Sequence, residues 1–548
     1  MGLNQRNKRV WTRGEVAEGI LAGDNLVIFR DQVLKVPPSW LQSHPGGALA
    51  ILHYVGRDAT NEIEAYHAEA ALKMVARYSA GTIDVSLDEG WAPFIPPFAS
   101  GWVRQVDAKS QQLQWARVAD IEAPPVPKTN EKNTLQFTSL NYAPSEILLV
   151  EKADLATSET AAKPQGPTLA TITPPASSLS LSTQARHARA FRQLHKKIED
   201  AGLYNTRYLA GYGPEVARYL TLALISATTY RHGWYLTSAL FLGLLWHQLT
   251  FIVHDLGHMG VTHNWTLDRM LGISIAAYIG GLSITWWVDN HNIHHLVTNH
   301  PTHDPDIQHI PFFAISPAFL NSLYSSYYNR VMTFDGPSKV LLALQHRLYY
   351  FVMSLARFNL YGNSYGYLYK LGVIRGKRGP LFWFDIVGIA FFWVWYSYLI
   401  SGVGGGWKGK LGYILISHIA ASPVHVQIVL SHFSRSTADL GPTESFVDRQ
   451  LRTTSDVICS PAIEFIHGGL HLQVTHHLFP RLPRHNLRAA SLLVKEFARE
   501  HELEYAEFRF TEGNQEVLDV LRSVADQVKF IAKVADHEAK ERGRVVRS

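Results

Sequence analysis

Cysteine is nearly missing from this sequence. A single one, Cys459, stands among 548 residues, so no disulfide can close within the chain and no cysteine-rich zinc or iron–sulfur site can form. That excludes a disulfide-built secreted scaffold, and the charged parts are expected to face a reducing compartment. Charge of one sign is scarce too: 51 Lys and Arg against 46 Asp and Glu leave +5, too little to mark a nucleic-acid binder. The opening MGLNQRNKRV has no apolar core, so no cleavable signal peptide is expected, and Arg6 stands where a myristoylation signal wants Ser or Thr. The mean hydropathy of -0.05 is that of a soluble protein, but a polar half joined to a membrane-embedded half would average the same.

Histidine is what the chain has in excess. Of 27, nine fall between His254 and His309 and eight between His418 and His485. Clustering of that kind points to metal.

Crossing a bilayer takes about 20 mostly apolar residues. Trp234 to Val253 and Leu411 to Leu430 carry no acidic or basic residue, Phe382 to Ser401 carries only Asp385, and Val216 to Tyr230 is shorter and holds Arg218. Turns at Arg231-His232-Gly233 and from Gly402 to Lys410 would pair these into two helical hairpins. Met270 to Val288 is also long enough to span, but crossing there would put the histidine clusters on opposite sides of the membrane. It is therefore read as interfacial or re-entrant. Val340 to Phe358, interrupted by His346, Arg347 and Arg357, suits a helix lying in the interface. Before the first run, the chain from about 100 to 180 is rich in Pro, Ser, Thr and Ala (APPVP at 123–127, then PQGPTLATITPPASSLSLS) and is expected to bury little. The expected plan is a small α+β domain (1–98), a Pro/Ser-rich linker (99–190), an all-α multi-pass membrane domain (191–512) with four transmembrane helices, and a charged C-terminal tail (513–548).

Within the small domain, His44-Pro45-Gly46-Gly47 is followed nine residues later by Gly56-Arg57-Asp58-Ala59-Thr60, with His67 beyond. These elements in this order resemble the cytochrome b5 family over roughly residues 11–90. The resemblance implies a haem b held between His44 and His67, and an iron with both axial positions filled by imidazole passes electrons without binding oxygen. His53 is read as structural.

Three histidine boxes lie further on. His254-Asp255-Leu256-Gly257-His258 sets two imidazoles on one helix face, His291-Asn292-Ile293-His294-His295 adds a neighbour to that pattern, and Gln473-Val474-Thr475-His476-His477 repeats it with Gln first. Zinc hydrolysis is the obvious rival, since two His at this spacing open the HExxH peptidase motif. Here, however, Asp255 replaces the Glu, and seven box histidines beside an electron-transfer domain exceed what one zinc needs. A redox-active pair of irons explains the count.

The segments HDLGH at 254, Trp286 to Pro311 and His467 to Arg488 resemble the membrane fatty acyl and sphingolipid desaturases, in particular the front-end group fused to cytochrome b5. The long linker and VLSHFSRSTADLGP look most like the fungal delta-8 sphingolipid members. What the resemblance implies is a di-iron site ligated by His254, His258, His291, His294, His295, His432, His476 and His477, with Gln473 where other desaturases have a ninth histidine. It also implies O2 as co-substrate, a lipid chain as substrate, electrons from an NADH-cytochrome b5 reductase, and an endoplasmic reticulum membrane with both sites facing the cytosol. Thr475 departs from the Glu common at its position. Asp304 and Asp306 either orient ligand imidazoles or cap a turn, His467 and His471 are the substitutes should Gln473 not ligate, and His263, His300, His303 and His309 either donate to ligand side chains or, the favoured reading, are solvated in loops. A front-end fatty acyl desaturase, a lipid hydroxylase on the same scaffold and a non-catalytic membrane-tethered haem carrier remain as alternatives.

Overall fold

The computed structural model describes residues 9–85, 89–106, 113–117 and 165–545. The N-terminal domain folds first around a four-stranded mixed sheet, β1 (Val10–Trp11), β2 (Asn25–Phe29), β3 (Gln32–Val36) and β4 (Ser79–Ile83), in the order β1-β4-β3-β2. β1 pairs parallel to β4; the other pairs are antiparallel. Thr12 and Glu15 close a capping box on α1 (Arg13–Leu21), satisfying backbone donors at its start. The helix lays Val16 and Ile20 onto Leu26, Ile28, Val33 and Trp91.

Two segments carry the histidine pair. α2 (Pro38–Ser43) ends just before His44, and α3 (Leu49–Leu52) follows the double glycine. Gly47 has φ +81°, and a Cβ there would lie 2.8 Å from the Asp289 carboxylate of the membrane domain, so conformation and close approach both demand glycine. The Asp58 carboxylate accepts from the Thr60 amide and hydroxyl at 3.0 and 2.6 Å and so launches α4 (Thr60–Tyr66), which ends at His67.

The stretch expected to bury little is outside the described residues from 118 to 164, but what precedes it is docked. β5 (Trp102–Val106) and β6 (Leu113–Arg117) form a hairpin, Trp102 is buried, and the Trp115 indole donates to Leu21 O at 3.0 Å. The helix α5 (Leu181–Asp200) then buries Phe191, Leu194 and Ile198 in a core shared with Phe479 and Leu482.

The larger domain is helical. Among the described residues three helices, not the expected four, are long and apolar enough to cross a membrane: Tyr235–Gly257, Pro380–Ser401 and Gly406–Phe433. The fourth run lies in α6 (Gly213–Arg231), 19 residues long, whose Glu215, Arg218 and several Ser and Thr lower its hydropathy. α6 nevertheless pairs with α7 (Tyr235–Gly257) along its length, with Ser226 Oγ donating to Ser238 O at 2.9 Å near one end and Tyr212 Oη to Asp255 at 2.8 Å near the other. At Gly243 of α7 a Cβ would meet Ser417 O at 2.3 Å, so the spans there touch backbone to backbone.

The uncharged Met270 to Val288 run is broken into α8 (Trp265–Ala276) and α9 (Ile284–Leu296), with Gly281 at φ +69° between them. Val340 to Phe358 likewise divides, between α10 (Gly336–Ser354) and α11 (Ala356–Tyr369). The charged tail is not free either. From Phe510 to Val545 it is one helix, whose Val517, Leu521, Val524 and Val528 are buried in a cluster with Leu342, Tyr349, Met353 and Phe433.

Candidate metal centre

Four helices bring these eight histidines together. α7 delivers His254 at its C-terminal end and His258 as the residue that caps it; α9 delivers His291, His294 and His295 from its last two turns. His432 comes from the helix Pro423–Phe433, and His476 and His477 from the six-residue helix Gln473–Leu478. All eight are buried. They sort into two adjacent groups that could each hold a metal ion: His254, His258, His291 and His476, and His294, His432 and His477. His295 touches both, its ring centroid 4.8 Å from that of His476 and 4.0 Å from that of His477.

The outer faces of these rings show which nitrogen is left for a metal. His294 Nδ1 donates to Asp304 at 2.9 Å, His291 Nδ1 to Asp306 at 3.1 Å, His477 Nδ1 to the Gln450 side-chain oxygen at 2.9 Å and His432 Nδ1 to Thr453 O at 3.3 Å. Each bond fixes the tautomer and aims Nε2 inward. The Nε2 atoms of His258, His476 and His477 are buried without a hydrogen-bond partner, as is Nδ1 of His295. Buried lone pairs with no donor are costly unless something electrophilic fills the space, so the residues fit metal. Burial pushes His291 down to about 4 despite the Asp306 carboxylate. At His294 burial also acts downward, but Asp304 and Asp306 outweigh it and the net shift is upward.

Several of these partners carry no signature in the sequence. Gln450 donates its amide nitrogen to His295 O at 2.8 Å, which orients its oxygen toward His477. Asn299 bridges Asp304 and His432 through its backbone amide and side chain, at 2.7 and 2.8 Å. Asp304 both orients His294 and caps the turn that follows, accepting from Asp306 N at 2.8 Å. Asp255 Oδ2 accepts from the Tyr212 hydroxyl at 2.8 Å and lies 3.6 Å from the Arg484 guanidinium, while its Oδ1 stands 3.7 Å from His254 Nδ1.

Other expectations fare differently. Gln473 is buried at the head of its helix, one turn before His476 and His477. His467 and His471 belong to neither group; His467 is hydrogen-bonded to Gln427 and its ring contacts Phe510. The four loop histidines are not solvated as expected. His263 bonds to Tyr204 O at 2.7 Å, His309 packs against Phe433, and His300 stacks on His303, which also meets His53, Phe98 and the Ser326 hydroxyl.

In the small domain the His44 and His67 rings face each other with centroids 6.1 Å apart. His44 Nδ1 donates to Gly47 O at 3.1 Å and His67 Nδ1 to Ile63 O at 2.9 Å, so both Nε2 lone pairs are left for an iron between them. Burial pushes His67 down to about 4, the neutral state that ligation needs.

Fold and site together define a cytochrome b5-like haem module joined to a helical membrane protein with a histidine-lined metal site. The chain belongs to the fatty acid desaturase family: residues 232–509 match that family's model, and residues 12–84 match the cytochrome b5-like heme/steroid binding domain. Among its relatives, a Delta 8-(E)-sphingolipid desaturase of Emericella nidulans is 43% identical over 531 residues, 95% of each chain. The Delta 8-(E)-sphingolipid desaturase of Komagataella phaffii is 39% identical over 95% of this chain and 94% of its own. A Delta(8)-fatty-acid desaturase of Helianthus annuus is 34% identical, over 64% of this chain and 76% of its own.

Proposed function

We propose that this chain is an O2-dependent desaturase that introduces the Δ8 double bond, in the E configuration, into the sphingoid base of ceramide or glucosylceramide. The observation that carries the reading is similarity along nearly the whole length, haem module included, to fungal enzymes of that name. A fatty acyl substrate is the second reading, supported by the shorter match to the Helianthus annuus enzyme. A non-catalytic haem carrier would leave the unpartnered histidine nitrogens without a purpose. The test is purified protein supplied with NADH, a cytochrome b5 reductase and O2: a new double bond in ceramide supports the first reading, and one in an acyl lipid the second.

His254, His258, His291 and His476 would hold one iron, and His294, His432 and His477, with His295 completing four, the other. Gln473 is not required as a ligand. Two irons supply the oxidising power that an unactivated C–H bond demands and that zinc lacks. The electrons balance with two taken from the lipid and two from the haem module, reducing O2 to two waters. The chain's own part is to aim His294, His291, His477 and His432 through Asp304, Asp306, Gln450 and Thr453, and to keep the site dry by burial. Removing Asp304 strips His294 of its hydrogen-bond acceptor and frees the Asn299 and Asp306 amides; Asp304→Ala is expected to weaken iron retention about 10- to 100-fold, read as iron per protein during chelator titration.

The reading places the enzyme in the endoplasmic reticulum membrane, haem and irons toward the cytosol, with four crossings. α6 counts as the fourth because it accompanies α7 from one end to the other. Its Leu220 and Leu224 point outward, which suits lipid. A tag near Gly405 is then luminal and one near Pro305 cytosolic; protection of the Pro305 tag from cytosolic protease would contradict this topology.

A further inference from the structure

The two candidate cofactor sites meet at one side chain. Tyr66 is the residue before His67, and its ring stands edge-on to that of His295 with centroids 6.3 Å apart. The approach is held from both sides. Ala65 is buried in the core that contains Phe191, Leu478 and Phe479, next to the third box, and Tyr54 donates to Leu296 O at 3.0 Å, the residue after His295. Leu296 itself packs among Val27, Tyr54 and Ala59 of the small domain. The haem module is therefore seated on the helix of the second box, with the ring of the residue next to a haem ligand set against a histidine of the metal centre.

From this juxtaposition we infer that Tyr66 is the electron bridge between the haem held by His67 and the metal site lined by His295. Electronic coupling falls off steeply across empty space and far less through bonds and ring contacts. The path from His67 runs along one peptide unit into the Tyr66 ring and then through a single aromatic contact to His295. The step is one electron at a time: ferrous haem returns to ferric, and a ferric ion of the histidine site becomes ferrous. The reductant is the NADH-dependent flavin reductase already required by the reaction.

Tyr66 itself is neither oxidised nor reduced. Its hydroxyl is buried with no hydrogen-bond partner, so no group stands ready to take the phenolic proton that a tyrosyl radical would have to release. The ring couples; the hydroxyl does not titrate. It is a positioning residue, and the hydroxyl is dispensable.

The experiment uses the full chain loaded with haem and iron. Haem is reduced without oxygen in the presence of lipid substrate, then mixed with O2, and ferrous haem is followed by its absorbance. Tyr66→Phe keeps the ring and is expected to reoxidise like the parent. Tyr66→Met keeps bulk without a ring and is expected to slow reoxidation at least about tenfold. Haem spectrum, haem midpoint potential and iron content should stay at parental values in both, which a merely structural role would not give. Equal rates in Tyr66→Met and parent overturn the inference, as does a slow Tyr66→Phe, or loss of haem or iron from Tyr66→Met. The inference rests on the desaturase reading, and the two fail differently: no product from the parent sinks that reading, whereas product with a normally fast Tyr66→Met sinks only the bridge.

Discussion

Replacing His476 or His294 by alanine is expected to empty the metal centre and abolish product formation together. Each residue belongs to a different histidine group, so each substitution strips a different proposed iron of a ligand. His467 and His471, the nearest candidates in the sequence, belong to neither group, and His467 is hydrogen-bonded to Gln427. The loss should exceed the roughly 10- to 100-fold that removal of an outer partner brings. Gln473→Ala is the informative contrast. It is expected to keep most of its iron while losing activity, because eight histidines suffice for two ions and the amide lies one turn from His476 and His477 on the same short helix. Iron per protein, measured beside product for the three variants, checks this; full iron and full turnover in His476→Ala or His294→Ala would refute the assignment, and loss of iron in Gln473→Ala would make Gln473 a ligand.

His44→Ala and His67→Ala should each abolish the low-spin haem spectrum and leave iron in the membrane domain untouched. The two sites share no ligand, and the Tyr66 ring stands between His67 and His295 in the chain of contacts that joins them. Activity should fall to background with NADH and reductase as the only donors and recover in part if free cytochrome b5 is added. A normal haem spectrum in both variants would show that the axial ligands lie elsewhere.

The reactive parts of this protein were legible because each is written as a local period. His254 and His258, or His291, His294 and His295, share a helix face by spacing alone, and the glycine turn and helix start around His44 and His67 are short-range features. Of what supports them, only Asp304 and Asp306 were legible. Gln450, Thr453 and Asn299 act on histidines more than 20 positions away in the chain, and nothing in their own neighbourhood announces it. The loop histidines misled for the same reason: they read as solvated, yet distant segments cover them, His53 and Phe98 at His303, Phe433 at His309 and Tyr204 at His263. The helix from Phe510 is readable in principle, since Val517, Leu521, Val524 and Val528 follow a helical period inside what composition marks only as a charged tail. The count of spans shows the limit of composition. α6 falls short on hydropathy and is tied to the membrane only by its partner helix.

The central claim is that this chain desaturates the sphingoid base of a sphingolipid. It is tested most directly by mass spectrometry of long-chain bases from a host that lacks the Δ8 double bond, expressing either the parent chain or His476→Ala. The account predicts a base two mass units lighter, unsaturated at carbon 8, with the parent and none with the variant; an unchanged base accompanied by a new double bond in a fatty acyl chain would contradict it.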